Sequence, residues 1–360
     1  NYGLTFGFYQ IDEVFPLSGP AFPEEDDYIE IRGSGFTEND EAACFYGARE
    51  YAPIGFTTHM VKCPMPTSDK SENWWADHRT DQVELKITLN GRDYLTIPQG
   101  YTYYVQPKVF SITPDSGPAS GSSLIKVFGS GFYDDFENAS PGCLVGEVVG
   151  EATVVTSKEI HCKTGRAEVT PFDNTSVVKV ALNSHSWTDP NGEATDYSIY
   201  DVFHVTPNSG PTDGDTEVMV YGVGFSKHAD EARCRFGVSD NYQIVQANVM
   251  NDEKLVCSSK PGFQLPNKAK LPFAVPFSVA LSDDKFEPWT NNHVKFRFYQ
   301  QPRIKVVSPK EGPVDDTTEV TVVALDGTEF HKPVPIMTAG GDFNESYGLQ
   351  CRFGNFGEVD

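Results

Sequence analysis

Seven cysteines carry the most recognisable chemistry in this sequence. Six of them recur as three pairs, with the second cysteine about 20 residues after the first. The pairs are Cys44 with Cys63, Cys143 with Cys162, and Cys234 with Cys257. Regular pairs in an acidic, turn-rich chain predict three disulfides and an oxidising compartment.

Zinc binding or thiol reactivity would be the alternative use of these cysteines. A zinc site needs four clustered ligands, and the sequence places no CxxC motif and no histidine pair near them. Cys351 has no cysteine in the nine residues that follow it. We expect it to pair with a cysteine beyond Asp360, and a free thiol is the alternative.

Three asparagines stand in N-glycosylation sequons within loop-like segments. They are Asn138 in Asn-Ala-Ser, Asn174 in Asn-Thr-Ser and Asn344 in Asn-Glu-Ser. In a secreted protein we expect at least one of them to be glycosylated. The alternative is three unmodified polar loops, because chance produces a sequon or two in a chain of this length.

Four tryptophans are candidates for contact with a partner. Trp187 and Trp289 precede the last strand of two successive segments, and Trp74 and Trp75 lie together in a polar segment. Aromatic side chains of this kind often dominate binding interfaces. Packing against a neighbouring domain, or within the local core, is the alternative for each of them.

Acidic residues outnumber basic residues by 51 to 28, and the net charge is −23. This charge excludes nucleic acid and anionic membrane surfaces as expected partners, because phosphate groups would be repelled. Clusters such as Glu24-Glu25-Asp26-Asp27 leave a weak possibility of calcium at domain junctions. No cluster has the ligand spacing of a known calcium loop. We therefore expect these acidic clusters to be solvated surface charge, and we predict no cofactor.

Catalytic and membrane-spanning motifs are absent from the sequence. It holds no GxSxG, HExxH, phosphate-loop or dinucleotide fingerprint, and its eight histidines do not cluster. No stretch is apolar and long enough to span a bilayer. We therefore expect neither enzymatic activity nor membrane insertion of this segment.

The elements that position these residues are repeats with a period of about 98 residues. A Pro-x-x-Gly-Pro signature starts at Pro16, Pro114, Pro207 and Pro309. Gly-x-Gly-Phe follows at Gly33, Gly129 and Gly222, with a degraded copy at Gly327. Cys-x-x-Gly then starts at Cys44, Cys143, Cys234 and Cys351. Alternating segments such as Val83–Leu89 and aromatic closing segments predict an all-β fold.

The fixed order of these signatures resembles the IPT/TIG domain, an immunoglobulin-like β-sandwich found in plexins, other cell-surface proteins, some transcription factors and starch-active enzymes. The resemblance covers essentially the whole chain. It implies tandem immunoglobulin-like sandwiches and, with the paired cysteines, an extracellular or cell-surface location. It implies no single activity, because one fold hosts many functions.

The period divides the chain into one fragment, three complete repeats and one partial repeat. We predict the closing strand of a preceding repeat at 1–10, repeats at 11–106, 107–200 and 201–301, and the front part of a fourth repeat at 302–360. The incomplete repeats at both ends favour the interpretation that this chain is a segment of a longer array. Strand donation between subunits is the less favoured alternative, because ten residues cannot replace the missing part of a repeat.

Short linkers between repeats favour a structural function. We expect a non-enzymatic, rigid extracellular array that forms or decorates a surface filament through end-to-end or lateral contact with itself. The alternative is the stalk of a cell-surface receptor or adhesion protein that binds a protein or glycan. A non-catalytic module of a carbohydrate-active enzyme is a distant third hypothesis.

Overall fold

The computed structural model describes residues 7–25, 27–168, 174–238, 241–263, 270–282, 289–313, 317–325, 351–352 and 358–359. Strands dominate this part of the chain, and the predicted all-β class is confirmed. The chain packs as two compact units. The first contains residues up to Asp115, Leu124–Gly165 and Thr175–Tyr197, and the second contains Ser116–Ser123, the described part of 166–174 and residues from Ser198 onward.

The first repeat is a sandwich of two sheets. Its elements are β1 (Gln10–Phe15), β2 (Ser18–Pro20), β3 (Tyr28–Ser34), β4 (Ala43–Tyr46), β5 (Arg49–Tyr51), β6 (Gly55–Phe56), β7 (Met60–Pro64), α1 (Glu72–Asp77), β8 (Thr80–Thr88) and β9 (Tyr94–Tyr104). One sheet has the order β1-β3-β7-β6 and the other β2-β9-β8-β4-β5. Alternating side chains such as Ile29, Ile31 and Leu85 point inward and form the core.

The second and third repeats follow the same plan. The second contains β10 (Lys108–Thr113), β11 (Ser116–Pro118), β12 (Leu124–Ser130), β13 (Gly142–Val145), β14 (Val148–Thr156), β15 (Glu159–Lys163), β16 (Thr175–Ala181) and β17 (Asp196–Thr206). The third contains β18 (Ser209–Pro211), β19 (Glu217–Val223), β20 (Arg233–Val238), β21 (Asn241–Asn251), β22 (Lys254–Ser258), β23 (Phe273–Ala280) and β24 (Lys295–Tyr299). Short 3-10 helices span Gly192–Thr195 and Ala229–Glu231.

The described part of the predicted fourth repeat contains four further strands. They are β25 (Ile304–Ser308), β26 (Thr321–Ala324), β27 (Cys351–Arg352) and β28 (Glu358–Val359). β25 pairs with β26, and β27 pairs with β28. The sequon at Asn344 lies outside the described residues.

One long strand serves both sheets of the second and third repeats. The start of β14 pairs with β13 and its end pairs with β15, and β21 divides in the same way between β20 and β22. In the first repeat this strand is split into β5 and β6, with Pro53 between them. Proline has no backbone N–H to donate to a sheet, which accounts for the break.

The three predicted disulfides are present, and each joins the two sheets of its own repeat. Cys44 on β4 bonds Cys63 on β7, and the bonds Cys143–Cys162 and Cys234–Cys257 join the corresponding strands. All six cysteines are buried. Cys351 has no disulfide partner within the described part of the chain.

The boundary predicted between the second and third repeats falls inside a single strand. Ser198–Tyr200 of β17 pairs with β11, and Asp201–Thr206 of the same strand pairs with β19. The strand that closes one repeat therefore opens the next without a linker. At the front of the chain, β1 begins at Gln10, one residue before the predicted start of the first repeat.

The Gly-x-Gly-Phe signature marks a place where the backbone of one strand nearly touches another. A Cβ on Gly33, Gly129 or Gly222 would overlap the carbonyl oxygen of the opening strand and the ring of the signature phenylalanine. The second glycine has a left-handed φ of 75° at Gly35 and 80° at Gly131. Both glycines are therefore required by geometry, and the phenylalanine fills the space that the first one leaves.

We predict that Gly129→Ala destabilises the second repeat by about 1–3 kcal/mol, because the added methyl group must displace the Lys108 carbonyl or the Phe132 ring. Gly55→Ala is the control, since its Cβ would meet only the Lys62 side chain, at 3.8 Å. The control should stay within about 1 kcal/mol of the wild type. Urea unfolding measures both, and equal losses would contradict the close-approach explanation.

Candidate functional site: the junctions between repeats

The junction between the first and second repeats is built around two fully buried polar residues. Ser18 lies on β2, and Asn183 lies in the loop that follows β16; neither exposes any surface. The Asn183 Nδ2 donates a hydrogen bond of 2.7 Å to the Ser18 carbonyl oxygen. The Ser18 hydroxyl donates at 2.9 Å to the carbonyl oxygen of Asn138. Each repeat therefore satisfies buried polar groups of the other.

The Asn183 side chain also shapes the loop that carries it. Its Oδ1 accepts hydrogen bonds from the backbone N–H groups of His185 at 3.0 Å and Ser186 at 2.8 Å. The Ser186 hydroxyl then donates at 3.1 Å to the carboxylate of Asp27 in the first repeat. One asparagine thus holds its own loop in a fixed turn and binds the neighbouring repeat at the same time.

Aromatic and charged groups surround this polar centre. The half-buried ring of His185 meets the edge of Tyr28 at a centroid distance of 5.0 Å, and Lys62 lies over the Tyr28 ring at 3.8 Å. Burial lowers the pKa of His185, while Asp27 and Glu30 oppose that shift. The neutral imidazole is therefore the form that the folded junction favours.

An exposed ion pair lies at the rim of the same junction. The guanidinium of Arg79 donates two hydrogen bonds of 3.1 Å to Asp135 and stacks over Tyr133. The hydrogen bond from Arg79 lowers the pKa of Asp135. A solvent-exposed pair of this kind adds little stability to the junction.

The second compact unit contains contacts between the second and third repeats. The backbone N–H of Asn291 donates to the Ser120 hydroxyl at 3.2 Å, and the Asn174 amide donates to Asp252 at 3.3 Å. Asp252 also accepts from Ser226 and from the backbone of Gly224. Burial would raise the pKa of Asp252, but these hydrogen bonds together outweigh it and lower the pKa.

Two of the predicted sequons lie at these junctions. The Nδ2 of Asn138 donates to the Leu17 carbonyl oxygen at 3.4 Å, and Asn174 bonds Asp252 as described. Both side chains are half-buried. Glycosylation would occupy the same nitrogen that makes each contact, and their modification stays a prediction.

Trp74 and Trp75 lie on the short helix α1 and have different environments. Trp75 is buried in the core of the first repeat, whereas Trp74 is half-buried. The Trp74 ring stacks on His78 with a centroid distance of 3.9 Å. Burial of Trp75 favours local packing for that residue, and a partner contact at Trp74 stays a prediction.

Trp187 and Trp289 both line clefts beside the preceding repeat. Trp187 faces a cleft of about 600 Å³ shared with Phe22 of the first repeat and Phe110 of β10. Trp289 faces a smaller cavity that includes Ser120 of the second repeat. The structure thus brings the two corresponding loops to corresponding places, and binding of a partner by either tryptophan stays a prediction.

The described residues give no separate evidence for a metal or a membrane segment. No group of three or more His, Cys, Asp or Glu among them is arranged to hold a metal ion. No helix in that part of the chain has the length and hydropathy needed to cross a membrane. The absence of a cofactor, including calcium at the junctions, stays a prediction.

Sequence reasoning missed Asn183 and Ser18. A small polar residue after an apolar strand is normally a turn residue. The sequence around Asn183 does not distinguish it from Asn90, which occupies the corresponding turn of the first repeat. The sequence does single out Ser18 in part, because serine recurs at the same position of the signature at Ser116 and Ser209. Its burial could not be inferred without the strand pairing.

We predict that Asn183→Ala lowers the free energy of unfolding by about 1–3 kcal/mol, because buried groups of two repeats lose their partner. Asn191→Ala is the matched control, since the exposed Asn191 makes one bond of 3.1 Å to the Phe110 carbonyl oxygen. The control should change stability by no more than about 0.5 kcal/mol. Chemical denaturation that finds the two variants equally stable would contradict the assignment of Asn183 as the junction centre.

Comparison with known proteins gives the family. The model of the IPT/TIG domain matches residues 107–195 and 202–298, which is just over half of the chain. Among solved structures, the chain is similar to the plexin A4 full extracellular region, with 16% identity and a TM-score of 0.35 over 86% of this chain and 26% of that chain. It is also similar to the human desmocollin-1 ectodomain, with 10% identity and a TM-score of 0.18 over 89% of this chain and 67% of that chain.

A glycan-related protein gives a similarity of the same order. The Bacteroides ovatus mixed-linkage glucan utilization locus SGBP-B has 9% identity and a TM-score of 0.20, over 81% of this chain and 70% of that chain. Such values carry no information on what this chain binds. The family match and the repeat signatures agree, and the chain belongs to the IPT/TIG domain family.

Proposed function

We propose that this chain is a non-enzymatic extracellular structural protein that holds successive immunoglobulin-like repeats at fixed orientations, and that it forms or decorates a surface filament. The observation that carries the proposal is the bond between the buried Asn183 amide and the Ser18 carbonyl oxygen. Bending at this junction would separate two buried polar groups from their partners, at a cost of about 1–3 kcal/mol for each.

Two other observations support the fixed orientation. The second and third repeats share one strand, because β17 continues from the closing position of one into the opening position of the other. In the first compact unit, only a short segment separates the end of β9 at Tyr104 from the start of β10 at Lys108. Short connections leave few backbone dihedrals that could absorb a change of angle.

The location rests on cysteine chemistry. Three buried disulfides persist in oxidising compartments and are rare in the cytosol. An extracellular or cell-surface protein is therefore favoured, and its acidic surface keeps it soluble there.

A second candidate function is the stalk of a receptor or adhesion protein. The half-exposed rings of Trp74 and Trp187 favour this alternative, because both could contact a protein or glycan. A stalk needs the same fixed junctions as a filament subunit, so the fixed junctions alone do not separate the two candidates.

Electron micrographs of the native protein and solution scattering from this chain test the proposal. We expect scattering curves that fit one fixed arrangement of repeats, and micrographs of a regular filament for the first candidate or isolated rods for the second. Curves that require freely jointed repeats, with particles bent at variable angles, would refute both. Asn183→Ala is the informative variant, because it should increase flexibility.

A further inference from the structure

The third repeat carries a cationic cavity in a chain whose net charge is −23. The cavity lies in the second compact unit and has a volume of about 540 Å³, within the range of small-molecule sites. Among the described residues, its lining includes Arg235, His293 and Lys295 and no aspartate or glutamate. Hydroxyl and amide groups of Ser120, Ser122 and Asn291 also line the cavity.

Strand alternation sets the position of Arg235. Cys234 and Phe236 on β20 point into the core and are fully buried. Arg233 and Arg235 therefore project from the opposite face, where both guanidinium groups lie over Trp289 at 5.7 Å and 4.5 Å from the ring centre. The stacked indole holds the Arg235 guanidinium in place beside the cavity.

Arg235 is half-buried and has no anionic partner within the described part of the chain. None of the ion pairs between described residues includes it. Its Nε is buried and has no hydrogen-bond partner in the described part of the chain. Partial burial lowers the pKa of Arg235. Partial desolvation of a cation has a cost, and a bound anion would offset it.

We propose that this cavity binds an anionic sugar, with the carboxylate or sulfate group held by Arg235. An arginine guanidinium presents paired donors that match such a group. The sugar hydroxyl groups would bond the Ser120, Ser122 and Asn291 side chains, which come from two different loops. A compact ligand with many hydroxyl groups suits these short, separated polar groups better than an extended acidic peptide, whose backbone would need a free strand edge.

The wall of the cavity is already fixed before a ligand enters. The Asn292 amide donates to the Val202 carbonyl oxygen at 2.9 Å and to Asp201 at 3.2 Å. The neighbouring backbone N–H of Asn291 bonds the Ser120 hydroxyl at 3.2 Å, and the buried Thr290 hydroxyl accepts from Val279 at 2.9 Å. Little ordering would therefore accompany binding, which favours affinity for a small ligand.

Titration calorimetry of the whole chain tests this site with four probes: D-glucuronate, D-glucose 6-sulfate, D-glucose and a hexaglutamate peptide. We expect glucuronate, glucose 6-sulfate or both to bind, and the difference between them identifies the anionic group. Glucose should bind at least about tenfold more weakly, because it lacks the charge-assisted bond. Higher salt should weaken binding of the anionic sugars.

Arg235→Gln should reduce affinity for the anionic sugar by about tenfold or more. Arg297→Gln is the matched control, because it makes the same change on β24 of the same repeat, outside the cavity lining. Asn291→Asp is a second test that leaves Arg235 intact. It places a negative charge on an exposed side chain of the cavity wall and should also reduce affinity for the anionic sugar.

Four results would overturn the proposal. They are no detectable binding of either anionic sugar, equal binding of glucose, tighter binding of hexaglutamate than of the anionic sugars, or unchanged affinity in either Arg235→Gln or Asn291→Asp. The third of these would assign the cavity to acidic peptides instead.

Discussion

Buried polar groups must find hydrogen-bond partners inside the protein, and at the first junction of this chain the partner belongs to the neighbouring repeat. The Asn183 amide and the Ser18 carbonyl oxygen are both removed from water and bond each other at 2.7 Å. Separating the repeats would leave both groups without a partner unless water replaced it. Hydrogen-bond satisfaction across the junction therefore favours one orientation of the two sandwiches.

The same physical rule distinguishes the two kinds of site in this molecule. At the first junction the side chains of Asn183, Ser18 and Ser186 each donate a hydrogen bond to the other repeat, and these bonds serve to fix geometry. At the cavity in the third repeat, Arg235 is half-buried and its Nε has no partner among the described residues. Polar groups that have hydrogen-bond partners stabilise the structure, whereas a cation without an anionic partner can bind an anionic ligand.

Much of the fold followed from the sequence because its determinants are local and periodic. The glycines of Gly-x-Gly-Phe are required by close contacts within one repeat. The cysteine pairs recur at the same place in each sandwich. The disulfides could be predicted for that reason. The short helix that carries Trp74 and Trp75 was not predicted, because its six residues in a polar segment give no helical periodicity.

The junction and the cavity could not be predicted, because both join residues that are distant in sequence. In the sequence Asn183 resembles an ordinary turn residue, and only its contact with β2 shows its role. Arg235 likewise resembles an ordinary outward-facing strand residue, and only the position of Trp289 beside it distinguishes it. Neither pairing leaves a local pattern. Repetition did reveal which loops correspond, and it correctly placed Trp187 and Trp289 in corresponding loops before the closing strands.

The central claim is that the first two repeats keep one orientation, and a distance distribution across their junction tests it most directly. Spin labels at the exposed positions Glu50 and Glu151 lie in different repeats of the first compact unit. Pulsed electron paramagnetic resonance should give one narrow distance peak, which broadens in Asn183→Ala and not in Asn191→Ala. A broad distribution in the wild-type chain, unchanged by Asn183→Ala, would contradict the account.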